Sequence, residues 1–373
     1  MKNMLTKTSL TALATAISMA AFAGNKDRSG QAGAQELLVN PWAISSGVFG
    51  ANTSLVRGVE AMKGNIAGLA LTTGTEIGAS YNIFMKGSDV NVYNLAFGQK
   101  LGDFGVLGVN IQSMNFGEIT ITDYDHPQGG VGTYKPSFFN AQVGFAKSFS
   151  RSIHAGVGVT FVSETITDAR ASGACFEAGV QYITGAQDNF HFGVTLRNVG
   201  TNMKFTGEGF AFDSQAPGSL GYDVSRQTPT QAFEMPTYLN IGAAYDFYLG
   251  GKSMKKVDDK STKTDHRLTA MLAFTSNSFN NDYLHLGVEY GFKEMFLARI
   301  GYRYEKDILD NEASTTFYRG FAAGASFVKP FGSTTLGFDY AYRPTHRPDN
   351  GVHNIAIRVM INKKADKTAS EEE

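Results

Sequence analysis

Residues 152–166 read S-I-H-A-G-V-G-V-T-F-V-S-E-T-I. Ile153, Ala155, Val157, Val159 and Phe161 are apolar, and the residues between them are small or polar. A period of two places the two sets on opposite faces of a β-strand. The same pattern recurs along the chain. Fourteen such segments, separated by turn residues, lie between 76 and 361, and no long apolar helix interrupts them. This is the signature of a transmembrane β-barrel, one face of each strand meeting lipid and the other a polar lumen. Open sheet edges do not survive in hydrocarbon, so the strands must close on themselves, and the even count suits a single-chain bacterial barrel.

The expected fold is therefore all-β: a 14-stranded antiparallel transmembrane β-barrel with an N-terminal plug or hatch segment. The strands are placed at 76–84, 89–100, 106–116, 137–148, 152–166, 171–184, 189–199, 236–249, 265–276, 282–290, 295–304, 317–327, 334–342 and 352–361. Outward faces include Ile77, Ala79, Tyr81 and Ile83 in the first strand, and Phe190, Phe192, Val194 and Leu196 in the seventh. Leu336, Phe338, Tyr340 and Tyr342 face out in the thirteenth, and Ile355, Ile357, Val359 and Ile361 in the fourteenth. A charge at Val157 or Ile357 would meet lipid, whereas one at Thr160 would meet the lumen.

The flanking segments fit an exported protein. Lys2 and Lys7, the apolar run 10–21 and the Ala21-Phe22-Ala23 site read as a signal peptide over 1–23. Residues 24–75 lack the alternation, are rich in small residues and hold Trp42, the only tryptophan; they are expected to plug the barrel. The barrel covers 76–361, and 362–373 is a charged periplasmic tail. The expected location is the cell outer membrane, with its lipid as the surrounding partner. The 42 glycines relieve crowding in a curved sheet, and the 28 Phe and 16 Tyr supply interface girdles. A net charge of −1 gives no reason to expect nucleic acid as a partner. Cys175 is read as a lumen-facing filler.

Connection lengths set the orientation. Residues 117–136, 200–235, 305–316 and 343–351 are long and are placed outside the cell; 101–105, 149–151, 185–188 and 291–294 are short and periplasmic. The run 250–264, with five lysines and two aspartates, is read as a solvated periplasmic loop. The outer connections carry Tyr124, Tyr134, Phe205, Phe210, Phe212 and Tyr222, aromatic candidates for gripping a protein partner or for folding back over the lumen. Alternation turns Glu177, Arg197, Asp246, Glu289, Arg299, Arg303, Asp339 and Arg358 inward, where opposite charges pair across strands or line a pore.

No catalytic constellation, metal site or cofactor motif stands out. G-x-S-x-G, Walker and H-E-x-x-H patterns are absent, and the expectation is a non-enzyme with no cofactor. The cluster Asp123-Tyr124-Asp125-His126 lacks metal-site spacing, and Ser137, Asp349 and His353 offer residue types without a pattern. His154, His191, His266 and His285 are placed as hydrogen-bonded lumen residues.

Residues 58–70, G-V-E-A-M-K-G-N-I-A-G-L-A, resemble the G-V-E-A-x-x-x-N-P-A-G-L-A segment of the FadL superfamily, especially its PorV/PorQ branch. Within it Gly58, Asn65, Ala67 and Gly68 are the hatch motif, and Ile66 stands where the pattern has proline. Residues 196–200 and 203–205 (L-R-N-V-G, M-K-F), 235–245 (M-P-T-Y-L-N-I-G-A-A-Y) and 339–342 (D-Y-A-Y) are similar to further elements of that branch. The resemblance implies an outer-membrane barrel of the type IX secretion system. Such a barrel binds the C-terminal signal domains of secreted cargo and escorts them from the translocon to the sortase. The alternative is a FadL-like channel for fatty acids or other hydrophobic molecules. A lumen read as mainly small, polar and charged counts against that alternative.

Overall fold

The computed structural model describes residues 26–215, 223–249, 255–257, 261–263, 265–310, 314, 316–346 and 350–362. Fourteen antiparallel strands form one closed barrel: β1 (Thr75–Met85), β2 (Val90–Lys100), β3 (Val106–Asn115), β4 (Ser137–Ser148), β5 (Ile153–Ile166), β6 (Ala169–Thr184), β7 (Phe190–Gly200), β8 (Tyr238–Leu249), β9 (His266–Asn277), β10 (Tyr283–Phe292), β11 (Phe296–Tyr304), β12 (Phe321–Phe331), β13 (Thr334–Arg343) and β14 (Val352–Ile361). Each strand pairs with its neighbours in sequence, and β1 pairs with β14 from Thr75↔Ile361 to Ile83↔His353, which closes the cylinder. The signal-peptide and tail assignments fall outside the described residues, apart from Asn362. Of the lysine-rich connection, only a short pairing of Lys255–Val257 with Ser261–Lys263 is described.

Exposure alternates along most of each strand, and the most exposed positions are apolar: Val157 is 59% exposed, Ile300 64% and Ile357 53%, while buried neighbours face in. Tyr and Phe gather at both rims. At one end Phe104 stacks near Phe145 at 5.1 Å and Phe296 near Phe327 at 5.0 Å; at the other Tyr81 meets Tyr93 at 5.2 Å and Tyr302 meets Phe321 at 4.8 Å. An apolar band between two aromatic girdles is the exterior of an outer-membrane-type β-barrel. No helix among the described residues is long and apolar enough to cross a membrane.

One strand is displaced from its expected place. The alternation predicts the twelfth at 317–327; it lies at Phe321–Phe331. Gly320, at φ +86°, turns the chain just before it. Phe317 and Tyr318 leave the wall and pack inside, Tyr318 edge-on to Phe49 at 5.2 Å. Their aromatic character read as wall, but their partners are in the lumen.

The lumen is filled by residues 32–74. This segment holds one α-turn, α1 (Ala43–Gly47), and 3-10 turns at Gln35–Leu38, Gly58–Lys63 and Ile66–Leu71. Trp42, Val48, Val59, Met62, Ile66 and Leu69 are at most 1% exposed. The wall makes room for them with glycine. A Cβ on Gly78 would lie 2.5 Å from the Trp42 ring, one on Gly108 2.7 Å from Met62 Sδ, and one on Gly144 or Gly158 2.7 Å from Ile66 Cδ1. A Cβ on Gly193 would meet Ser54, and one on Gly301 would meet Val48, so the inner-face belt of glycine continues round the barrel. Backbone and plug approach each other where no side chain intervenes.

Candidate functional site

The filling segment is irregular, so many of its carbonyls lack helical partners. Amide and guanidinium donors on the wall satisfy them. Gln112 Nε2 donates to Glu36 O at 3.2 Å, and Gln142 Nε2 to Met62 O at 2.7 Å. Gln181 Nε2 donates to Thr53 O at 3.2 Å and Val56 O at 3.0 Å. Arg197 donates to Lys63 O and, at 3.3 Å, to Met62 O. Asn65 works in the opposite sense: its Nδ2 donates to Val180 O at 3.0 Å and Val194 O at 3.3 Å, and its Oδ1 accepts from Ala67 N at 3.2 Å, opening the next turn. Gly58 has φ +68° and stands against the Glu76 carboxylate, and a Cβ on Gly68 would lie 1.9 Å from Val56 O. Ala67 is fully buried beside them, and Ile66 uses its side chain against the wall glycines.

The inward charges form pairs. Glu177 and Arg197 meet at 2.9 Å inside the wall. A chain of contacts then crosses β7 to β14. His191 meets Asp246 at 3.0 Å; Arg267 reaches Asp246 at 3.4 Å, Glu289 at 2.6 Å and Glu294 at 2.7 Å. Glu289 also pairs with Arg299, which donates to Ser326 Oγ at 2.5 Å, and Asp339 pairs with Arg358 at 2.8 Å. Arg303 meets Glu305 at 3.4 Å. Arg267, the hub of this network, is absent from the inward charges expected from sequence; its odd-numbered position in β9 is the signal that points it inward. His266 corrects the sequence reading. It lies on the outer face, with Nδ1 2.7 Å from the Tyr290 hydroxyl and its ring 5.2 Å from Phe292, in the rim girdle rather than the lumen.

Two cavities flank the segment. One, of about 460 Å³ towards the short-turn end, gathers Arg57, Glu60, Asp246, Arg267, Glu289 and Arg358 beside aliphatic residues such as Ile44, Val48 and Met271. The other, of about 470 Å³ towards the long-loop end, is different in kind. Phe84, Phe116, Phe138, Phe317 and Tyr318 line it, together with Arg303 and Arg343. Its floor is the segment itself, with Glu36 and Lys63, 3% and 4% exposed. Burial, with the charge and the hydrogen bond of the neighbouring Glu164 carboxylate, pushes the Glu36 carboxyl up to about 8. Burial pulls the Lys63 amine down to about 8, helped by the Arg197 charge. Burial also raises the Glu60 carboxyl, which accepts from Ser45 N at 2.8 Å. The lumen is thus not uniformly small and polar: its long-loop half is aromatic, because Phe317 and Tyr318 turn inward to join Phe49 and Phe84.

The outer-connection aromatics do not come together as one surface. Tyr124 is 98% exposed and Phe212 51%, whereas Tyr134 and Phe210 are half-buried. Phe205 stacks on Phe233 at 5.7 Å over the buried Met203 and Met235. Tyr222 lies outside the described residues. Cys175 is buried in that same apolar cluster.

No family model and no curated protein matches the chain. Among solved structures it is similar to the toluene transporter TodX of Pseudomonas putida, at 12% identity and TM-score 0.48 over 86% of this chain and 97% of that one. It is also similar to the monoaromatic hydrocarbon channel CymD, at 12% identity and TM-score 0.46 over 86% and 96%. A Pseudomonas aeruginosa FadL homologue aligns at 10% identity and TM-score 0.43 over 85% and 96%. The likeness is one of fold.

Proposed function

We propose that this chain is an outer-membrane barrel that takes a small hydrophobic or amphipathic molecule into its lumen from the long-loop end, which faces the cell exterior. One observation carries the reading: the cavity of about 470 Å³ between the aromatic mouth and the filling segment. Its size lies in the range that small ligands occupy, and its lining sets an aromatic wall of Phe84, Phe116, Phe138, Phe317 and Tyr318 beside amides, hydroxyls and the two arginines, a mix of apolar surface and convergent polar groups that such sites use. The segment below it, held to the wall by the donors described above, stands in the direct path along the barrel axis. Passage therefore needs the segment to move or the ligand to leave sideways. The test is uptake of labelled hydrophobic compounds by cells with and without the gene, alongside binding of the same compounds to the purified barrel. Equal uptake together with no binding would sink the proposal.

A second reading, escort of type IX secretion cargo with translocon and sortase partners, is favoured by a different observation. Tyr124 and Phe212 stand exposed on connections at the long-loop end, and exposed aromatics commonly anchor protein interfaces. Shortening 117–136 or 200–235 while keeping the barrel assembled would abolish cargo capture on this reading. Unchanged surface display of signal-domain proteins after gene deletion would exclude it.

A further inference from the structure

The lipid face of the barrel is not uniform at its short-turn end. Lys293 and Lys329 stand exposed there, each on a phenylalanine ring. Lys293 Nζ lies 5.3 Å from the centre of the Phe292 ring, and Lys329 Nζ 5.0 Å from that of Phe331. The two lysines bracket a row of rings across three strands. Phe292 is opposite Phe296, Phe296 packs on Phe327 at 5.0 Å, and Lys329 follows Phe327 on the same face of β12. His266 extends the group to β9, its ring 5.2 Å from Phe292. Further along the same wall the large side chains stop. Ala298 is opposite Ala325, Ala323 is next on that face of β12, and all three are exposed. Tyr290 and Tyr340 stand on either side, and the Tyr302–Phe321 pair closes the far end. The wall thus carries a shallow depression with lysines at its mouth. Ala325 and Ala323 lie four and six residues from Lys329, roughly 13–20 Å along a strand, about the depth of one leaflet. The charge of this sector is one-sided. The connection 250–265 holds five lysines against three aspartates. Glu294, on the next turn, is held by Arg267 at 2.7 Å, and Asp265 stands beside Lys293, whose N donates to the Asp265 carbonyl at 2.7 Å. Elsewhere on this rim Arg151 is paired with Asp188 at 2.8 Å.

We infer that this sector binds an anionic diacyl phospholipid of the periplasmic leaflet, its phosphate on Lys293 and Lys329 and one acyl chain laid over Ala298, Ala325 and Ala323. The inference goes beyond the small-molecule reading and does not depend on it, because the site faces lipid and not the lumen. It uses only the orientation in which the short turns face the periplasm. Lysine stems lie along apolar surface while their heads reach the interface, and a ring face favours a cation there. Basic groups at a membrane surface attract anionic heads. A zwitterionic head brings its own ammonium group to the lysines and loses that advantage. Free phosphate would use the lysines and leave the depression as it is, whereas an acyl chain fills it with van der Waals contact.

The full-length barrel would be reconstituted in vesicles of phosphatidylethanolamine and phosphatidylglycerol in known ratio and extracted in mild detergent. Native mass spectrometry then counts the lipids that stay bound. Phosphatidylglycerol should be enriched about tenfold over its share in the vesicle. Lys293→Gln/Lys329→Gln should bring that enrichment to within about twofold of unity. Ala325→Phe fills the depression while keeping the lipid face apolar, and should lower the enrichment about threefold or more with both lysines in place. Lys147→Gln, on β4 of the same rim, should leave it unchanged. Lipid retained in the vesicle ratio by the unaltered barrel overturns the proposal, and that comparison needs no variant, so a misfolding substitution does not shield the idea. An enrichment that survives the double lysine variant or Ala325→Phe overturns it too. So does an equal loss in Lys147→Gln, because the attraction would then belong to the whole rim.

Discussion

Ile66 occupies the space that a side chain on Gly144 would need: a Cβ there would lie 2.7 Å from Ile66 Cδ1. Gly144→Val should therefore unseat the filling segment while leaving the wall strands paired. Overpacking of this kind costs roughly 1–3 kcal/mol. The expected result is faster protease cleavage within 40–70 in a barrel that still runs as folded on an unheated gel. Adding Ile66→Ala should restore protection. Protection equal to the unaltered protein in Gly144→Val alone would show that segment and wall are not in this contact.

Arg197 and Glu177 are a buried pair, and Arg197 also holds two carbonyls of the segment. Arg197→Met leaves Glu177 buried without its partner, a loss of about 3–5 kcal/mol. The double variant Arg197→Met/Glu177→Gln should recover much of that loss. Denaturant unfolding in vesicles reads both, and additive effects of the two substitutions would contradict the coupling.

The lipid face is tested at Val157. Arginine there meets hydrocarbon and should cost roughly 2–4 kcal/mol near the bilayer centre, whereas leucine should be neutral. The measurement is the folded fraction recovered in the outer-membrane fraction. Equal recovery of the two variants would place Val157 elsewhere than against lipid.

Glu36 gives a pH dependence with a definite sign. Its carboxyl lies at about 8 in the folded protein against an ordinary value of 4.5, so between those values the folded state holds a proton that the unfolded chain has released. Its contribution therefore falls as pH rises through that window. Lys63 acts in a separate window, between about 8 and its ordinary 10.5, and in the opposite direction, because there the unfolded chain holds the extra proton. Glu36→Gln should flatten the decline below pH 8 in thermal unfolding and leave the alkaline limb in place. An unchanged profile would mean that Glu36 is not the group responsible.

The wall was legible because lipid and lumen impose a period of two on every strand, and strands such as Ser137–Ser148 and Val352–Ile361 can be delimited from that alternation alone. The interior was less so. Thr160 faces inward as alternation requires, yet it is 3% exposed and donates to Glu177 Oε1 at 3.1 Å. An inward position here is a packed one, not a wet one, and an arginine at 160 would have no room. Composition alone explains the glycines as relief for curvature. Their recurrence at one inner-face level in successive strands, Gly98 opposite Gly108 and Gly108 opposite Gly144, marks instead where the segment presses on the wall. The aromatic cavity escaped because Phe49 and Tyr318 are far apart in sequence and neither lies on a wall strand. Arg343 closes its strand in a way that looks like an ordinary rim charge; its place against the Tyr318 ring shows only in the structure.

The glycine belt also constrains how such a chain can change over time. Where bare backbone faces Val48, Val59, Met62 and Ile66, each methyl group gained on one side must be surrendered on the other. Wall and filling therefore cannot be exchanged separately. A segment transplanted from another barrel would fit only if the donor's pattern of missing side chains came with it, so the two parts are inherited as one mould and its cast.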